Sequence, residues 1–263
     1  MIILLLVAVT HVAAIGNTIE QVHLAFAEDP NAMVLSFSTG KEKEASVSVE
    51  YYARETATLL RTAGCTTDHF KQWFNASHVT SPCKHCVDEY LHVCTMSGLV
   101  AGSTYSYTIV ASSTNATFSF VAGRGMEREP FTFAVYGDMG TYVPEDGTGE
   151  ASPTVRLLTS DAKSKRIDAV LHVGDLAYNL ADDGGRTATL FMNQIEPIAS
   201  SIPYMVCPGN HEGGTTYAGD FKHYFRRFDM PKKTETQNNF YSFDVGHAHI
   251  LSFSSEGTLS SSS

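Results

Sequence analysis

Three apolar runs, each stopped by a glycine and a short oxygen-bearing side chain, constrain this chain most. Phe131-Thr132-Phe133-Ala134-Val135-Tyr136 runs into Gly137-Asp138, and Ile167 to Val173 runs into Gly174-Asp175. Ile202 to Cys207 runs into Pro208-Gly209-Asn210-His211-Glu212. Between the first two lies Ser152-Pro153, a favourable N-cap and first-turn pair, with Val155, Leu158 and Ala162 following at helical spacing. A second helical stretch, Thr187 to Ile198, separates the next two runs. Strands that are continuously apolar and alternate with helices predict a largely parallel sheet covered on both faces. In such sheets functional groups gather at the carboxyl ends of the strands. Asp138, Asp175 and Asn210 fall there, 37 and 35 residues apart.

Two carboxylates and a carboxamide on one rim, each after a glycine that permits close approach, suit a hard cation. Without one, the carboxylates would repel each other. Asp175 has two oxygens with which to bridge a pair of metals, and Tyr178 lies three residues beyond it. A phenolate is a poor ligand for Mg²⁺ or Zn²⁺ at neutral pH but a good one for Fe³⁺, whose charge depresses the Tyr pKa. His211 adjoins Asn210 and can face a substrate as donor or acid. Taken singly, each residue has an ordinary reading: an Asp after a strand caps a turn, and a lone Tyr packs. The ordered combination Gly-Asp, Gly-Asp-x-x-Tyr, Gly-Asn-His-Glu argues for a metal site.

The first half has a different texture. Met33 to Ser38 and Ala45 to Tyr51 alternate apolar and polar, and Thr104 to Val110 with Ala116 to Val121 read as a closing strand pair. About a hundred residues of short strands predict a β-sandwich, with no catalytic constellation in it. Residues 122–130, AGRGMEREP, form a Gly- and charge-rich linker. Eighteen Lys and Arg against 28 Asp and Glu leave a net charge of −10. That balance argues against nucleic-acid binding, and an acidic protein handling a phosphorylated substrate needs metal ions to hold it.

Met1 to Val9 is apolar but too short to span a bilayer, and Val12-Ala13-Ala14 fits a secretory cleavage site, with a buried first strand as the alternative. Asn75 and Asn115 begin N-glycosylation triplets. Cys65, Cys83, Cys86 and Cys94 crowd into thirty residues, with Cys207 far away. Two disulfides of open connectivity are expected in an oxidising compartment, ahead of a zinc site around Cys83-Lys84-His85-Cys86. The chain thus reads as exported, secreted or lysosome- or vacuole-like, and off the membrane after signal removal.

Gly137-Asp138-Met139-Gly140, Gly174-Asp175-Leu176-Ala177-Tyr178 and Gly209-Asn210-His211-Glu212 resemble the first three signature blocks of the calcineurin-like metallophosphoesterases, and more narrowly of the purple acid phosphatases. Many relatives place a metal-binding His where Gly140 stands; Tyr178 instead occupies the place of the purple enzymes' iron-binding tyrosinate. Glu20 through Phe37 resembles the start of that family's fibronectin-III-like domain. The resemblance implies two domains: a signal peptide 1–14, a fibronectin-III-like all-β sandwich 15–121, the linker, and an α/β metallophosphoesterase domain 131–263, partial at its C-terminal side. It implies that Asp138 and Tyr178 bind Fe³⁺, that Asp175 bridges, and that Asn210 binds a second divalent metal (Fe²⁺, Zn²⁺ or Mn²⁺). His211 would orient the phosphate. The implied reaction is hydrolysis of small phosphomonoesters by a metal-bound hydroxide attacking in line with the departing alcohol. A homodimer is allowed for.

The family's further metal-binding histidines come from segments beyond Ser263. Gly246-His247-Ala248-His249 superficially matches the block that closes the family's site, but it sits inside a strand pair, Phe240 to Val245 and Ile250 to Phe253. In a strand His247 and His249 would share one face, open to metal binding, against the reading as two ordinary strand histidines. With only part of the α/β domain, a chain complete at Ser263 is expected to leave apolar sheet surface uncovered, with poor solubility or a partner as the consequence. Two other functions stay open: a phosphodiesterase or nucleotide hydrolase on the same metal core, and a non-catalytic exported binding protein.

Overall fold

A computed structural model of the chain describes residues 18–40, 43–56, 59–72, 86–123, 130–141, 152–213, 221–232 and 237–256. The expected signal peptide 1–14 and the Asn75 triplet lie outside these residues. The first half is all antiparallel: β1 (Glu20–Phe26), β2 (Met33–Thr39), β3 (Val47–Ala53), β4 (Arg61–Lys71), β5 (Asp88–Met96), β6 (Thr104–Ala111) and β7 (Asn115–Val121). Their order is β1-β2-β5-β4-β3-β6-β7. The 11-residue β4 is the corner piece. Its start, Arg61 to Gly64, pairs with β3, whereas Cys65 to Lys71 pairs with β5. One strand therefore serves both layers of the sandwich, and Phe37, Val49, Tyr107, Ile109 and Phe120 fill the space between.

Cys65 lies opposite Cys94 where β4 changes partner, and the two form a disulfide. Cys86 is disulfide-bonded too, which removes it as a zinc ligand, and Cys207 is free. Cys83 lies outside the described residues. Asn115 is exposed at the start of β7, accessible to a glycan.

In the second half β8 (Phe133–Tyr136), β9 (Ala169–Val173) and β10 (Tyr204–Cys207) are parallel and adjacent in the order β10-β9-β8. α1 (Ser152–Lys163) and α2 (Arg186–Ala199) connect them. α3 (Lys222–Arg227) and the hairpin β11 (Phe240–Val245) and β12 (Ala248–Phe253) follow. The strands and helices match the expected order, but the expectation of cover on both faces is corrected. Val170 and His172 are buried, with the Phe191 ring of α2 5.9 Å from that of His172. On the opposite face Val135 is 61% and Val173 54% exposed. The reason is topological: strands laid down successively in one direction by right-handed crossovers receive both helices on one side. Among the described residues this apolar surface is open, and Leu251 and Phe253 of β12 extend it at 66% and 68% exposure.

Each half buries part of the other. β1 packs on α2, Val22 N donates to Glu196 Oε2 at 3.1 Å, and Tyr107 Oη donates to Ser200 O at 2.7 Å. β1 and β2 are buried on both faces, so the apolar–polar alternation of Met33 to Ser38 does not become an alternation in burial. Beside this seam Arg227 of α3 is buried with Glu89 of β5, Nη2 to Oε1 2.6 Å. Gln21 Nε2 donates to Glu89 Oε2 at 2.7 Å. A single apolar cluster runs through both halves.

Candidate metal centre

The parallel register brings three loops to one edge of the small sheet. Asp138 follows β8, Asp175 follows β9 and Asn210 follows β10, and all three line one cavity of about 380 Å³. Leu171, Val173 and Cys207 of the sheet and Ile250 and Leu251 of the hairpin continue its wall. Burial pushes the Cys207 thiol pKa up.

These loops turn too sharply for ordinary backbone. Asp138 (φ 55°), Asp175 (φ 51°), Tyr178 (φ 53°) and Asn179 (φ 78°) all occupy the left-handed region. That conformation is unusual for a residue as bulky as Tyr and is held by its surroundings. Gly209 is needed for a different reason: a Cβ there would lie 2.7 Å from Asp175 N and nearer still to Asp175 Oδ1. The second and third loops are thus in contact at the backbone itself.

Glu212 ties them together. Its carboxylate accepts from Asp175 N (2.9 Å) and Gly209 N (2.8 Å) through Oε2, and from Leu176 N (2.7 Å) through Oε1. The residue is buried, and burial raises its pKa against the opposing pull of those three N–H groups. His211 N donates to Asp175 Oδ1 at 3.1 Å, a second tie between the same loops. The first loop joins through Asp138 N to Gly174 O (3.2 Å) and Gly140 N to Leu176 O (3.0 Å).

Tyr178 Oη donates to Asp138 Oδ1 at 2.7 Å, so two residues 40 apart in sequence meet at their oxygens. His211 packs on the same phenol, with ring centroids 4.6 Å apart. Asp138, Asn210 and Tyr178 are exposed, whereas Asp175 and His211 are half-buried. A metal would find hard oxygen donors here. Neighbouring ligands on an octahedral ion with bonds near 2.0 Å stand about 2.8 Å apart, close to the Asp138–Tyr178 separation. The proton between those oxygens is the one a cation would displace. Among the described residues no group of three or more His, Cys, Asp or Glu side chains is placed to hold a metal.

Two features of the hairpin histidines differ from the expectation of a shared strand face. Val245 pairs with Ala248, so Gly246-His247 is the two-residue turn, and only His249 is in a strand. His249 Nδ1 lies 2.6 Å from Asp244 Oδ1 on the surface. The ties made by Glu212 and the contact of Asn179 with His211 Nδ1, 3.1 Å, were not anticipated from the sequence. The only signal for them was position, beside residues already singled out.

Residues 19–122 match the purple acid phosphatase N-terminal domain, and residues 131–259 match the calcineurin-like phosphoesterase domain. The chain belongs to the purple acid phosphatase family. Within that family it is 35% identical over 241 residues to acid phosphatase type 7 of mouse, covering 91% of this chain and 49% of the mouse protein. It is likewise 35% identical to human acid phosphatase type 7, covering 90% of this chain and 49% of that protein. The fold is that of purple acid phosphatase PPD1 from yellow lupin seeds: TM-score 0.73 at 22% identity, over 89% of this chain and 44% of that one. The chain thus spans about half the length of the curated relatives it matches. Among the described residues no helix is long and apolar enough to cross a membrane.

Proposed function

We propose that this chain contributes the first part of the dinuclear metal centre of an acid phosphatase that hydrolyses small phosphate monoesters. The observation that carries the reading is the meeting of Tyr178 and Asp138 at 2.7 Å beside the cavity that Asp138, Asp175 and Asn210 line. Asp138 and Tyr178 would hold Fe³⁺, Asp175 would bridge, and Asn210 would hold a divalent ion, Fe²⁺, Zn²⁺ or Mn²⁺. When bound, the metal pair would neutralise the phosphoryl oxygens and activate a water, which suits a protein whose own charge is −10. The chain's residues would do the rest. Glu212 keeps the second and third loops at fixed separation, Asp175 is oriented by the His211 amide, and His211 would orient the phosphate. The Cys65–Cys94 disulfide supports an oxidising, exported setting, and exposed Asn115 is a proposed glycan site.

The test is the whole protein that carries this chain, loaded with Fe³⁺ and Zn²⁺ and followed by visible absorption and by hydrolysis of p-nitrophenyl phosphate. An iron–tyrosinate band that vanishes in Tyr178→Phe, with monoesterase activity lost in Asp138→Asn, is expected. A colourless chain that hydrolyses diesters but not monoesters would overturn the assignment in favour of a phosphodiesterase.

A further inference from the structure

His211 does not stand alone beside its loop. Its Nδ1 lies 3.1 Å from Asn179 Oδ1, and Asn179 Nδ2 donates to Asp182 Oδ2 at 3.0 Å. The direction of this short chain follows from chemistry. A carboxylate only accepts, so the amide must turn its NH₂ to Asp182 and its oxygen to the imidazole. An amide oxygen also only accepts, so Nδ1 must carry a proton. We infer that Asn179, clamped by Asp182, is a positioning residue that fixes His211 as the Nδ1–H tautomer and leaves Nε2 as the nitrogen that meets the substrate.

The local backbone is built for this. Asn179 has φ 78°, a conformation that Asn tolerates better than most residues, and Asp182 N donates to Asn179 O at 2.9 Å. That turn leads through Asp182–Gly185, where Asp183 (φ 48°) and Gly184 (φ 69°) are left-handed, to the start of α2. On the other side the Tyr178 ring packs against the imidazole and His211 N is tied to Asp175. With the main chain, one ring face and Nδ1 all engaged, the imidazole is left little rotational freedom. The catalytic value of this orientation rests on the phosphatase reading; the tautomer itself does not.

The experiment is long-range ¹H–¹⁵N correlation of the histidine rings in the metal-free chain at pH 8, with His211 assigned by its disappearance in His211→Gln. The parent is expected to show His211 as the Nδ1–H tautomer. Asn179→Ala should lose that signature, while Asn179→Asp should retain it, because a carboxylate still accepts from Nδ1. A merely structural role would not separate these two variants. Asp182→Ala should weaken the Nδ1–H signature by freeing the amide to flip. An Nε2–H tautomer in the parent, or an unchanged Nδ1–H tautomer in Asn179→Ala, would overturn the inference. Thermal melts verify that each variant is folded, and Asn179→Asp against the parent suffices should Asn179→Ala unfold. Hydrolysis is read separately: a chain with the Nδ1–H tautomer intact and no phosphatase activity supports the positioning and removes the catalytic reading.

Discussion

Removing the Glu212 carboxylate should open the centre from the inside. Three main-chain N–H groups, those of Asp175, Leu176 and Gly209, end on its two oxygens. In Glu212→Ala all three lose their partner at a buried site. An unsatisfied buried donor costs about 1–3 kcal/mol, so the low end alone sums to about 3 kcal/mol. Burial of the carboxylate, seen in its raised pKa, is relieved by the same change and keeps the total near that low end. Glu212→Gln is the graded control. Its amide oxygen can serve Asp175 and Gly209 together, but its NH₂ then faces Leu176 N, donor against donor. The expected loss is about 1–2 kcal/mol. Urea denaturation at pH 7 should place parent, Gln and Ala variants in that order of midpoint, with Ala lowering Tm by about 6–12 °C for a chain of this size. An Ala variant within 0.5 kcal/mol of the parent, a margin typical of surface changes, would refute the idea that this carboxylate holds the loops.

Acid should destabilise the fold through histidines rather than carboxylates. Burial holds His92 at about 4, His172 at about 3 and His223 at about 2, the last helped by Arg227 and Lys222. All three are therefore folded as neutral rings. Their contribution is complete above the ordinary value near 6.5 and is lost as pH falls from there toward about 4 for His92, about 3 for His172 and about 2 for His223, at up to about 1.4 kcal/mol per pH unit each. The urea midpoint should drop clearly between pH 7 and pH 5, and an unchanged midpoint would count against these buried environments. At the seam between the halves, Arg227→Met leaves buried Glu89 without its guanidinium and should cost about 3–5 kcal/mol. Adding Glu89→Met should recover part of that loss in a double-mutant cycle; a double variant no better than the single one would exclude the pair as the cause.

The legible parts of the molecule were those in which one residue type serves one physical purpose. β9 and β10 were visible as apolar runs because each has a wholly buried side, β8 because its residues are apolar throughout, and α2 because its buried positions, such as Phe191, Ile195 and Ile198, repeat at helical spacing. Asp138, Asp175 and Asn210 were visible because strand ends after glycine are where a parallel sheet exposes its functional groups. β4 was invisible: RTAGCTTDHFK changes partners midway, and a strand that serves two layers has no single inward face to mark with alternation. β5 was missed as well, although Glu89, Leu91 and Cys94 point to buried surroundings, because its Glu and His are buried by pairing rather than by apolarity. The apolar runs of the sheet, taken alone, pointed wrongly to cover on both faces, because an apolar run reports the chemistry of both faces, not whether anything covers them. Glu212 and Asn179 lie beyond any local reading, since their partners are backbone amides and a ring nitrogen brought near by the fold.

The shared core has a consequence for how the two halves relate as parts. β1 spends one face on its own sandwich and the other on α2, so neither half owns that surface. Severing the peptide within 122–130 would leave the pieces held to one another by the same apolar contact that made them fold. The sandwich is therefore not cargo carried beside the phosphoesterase-like half: it is a wall of that half, and the two should melt as one cooperative unit.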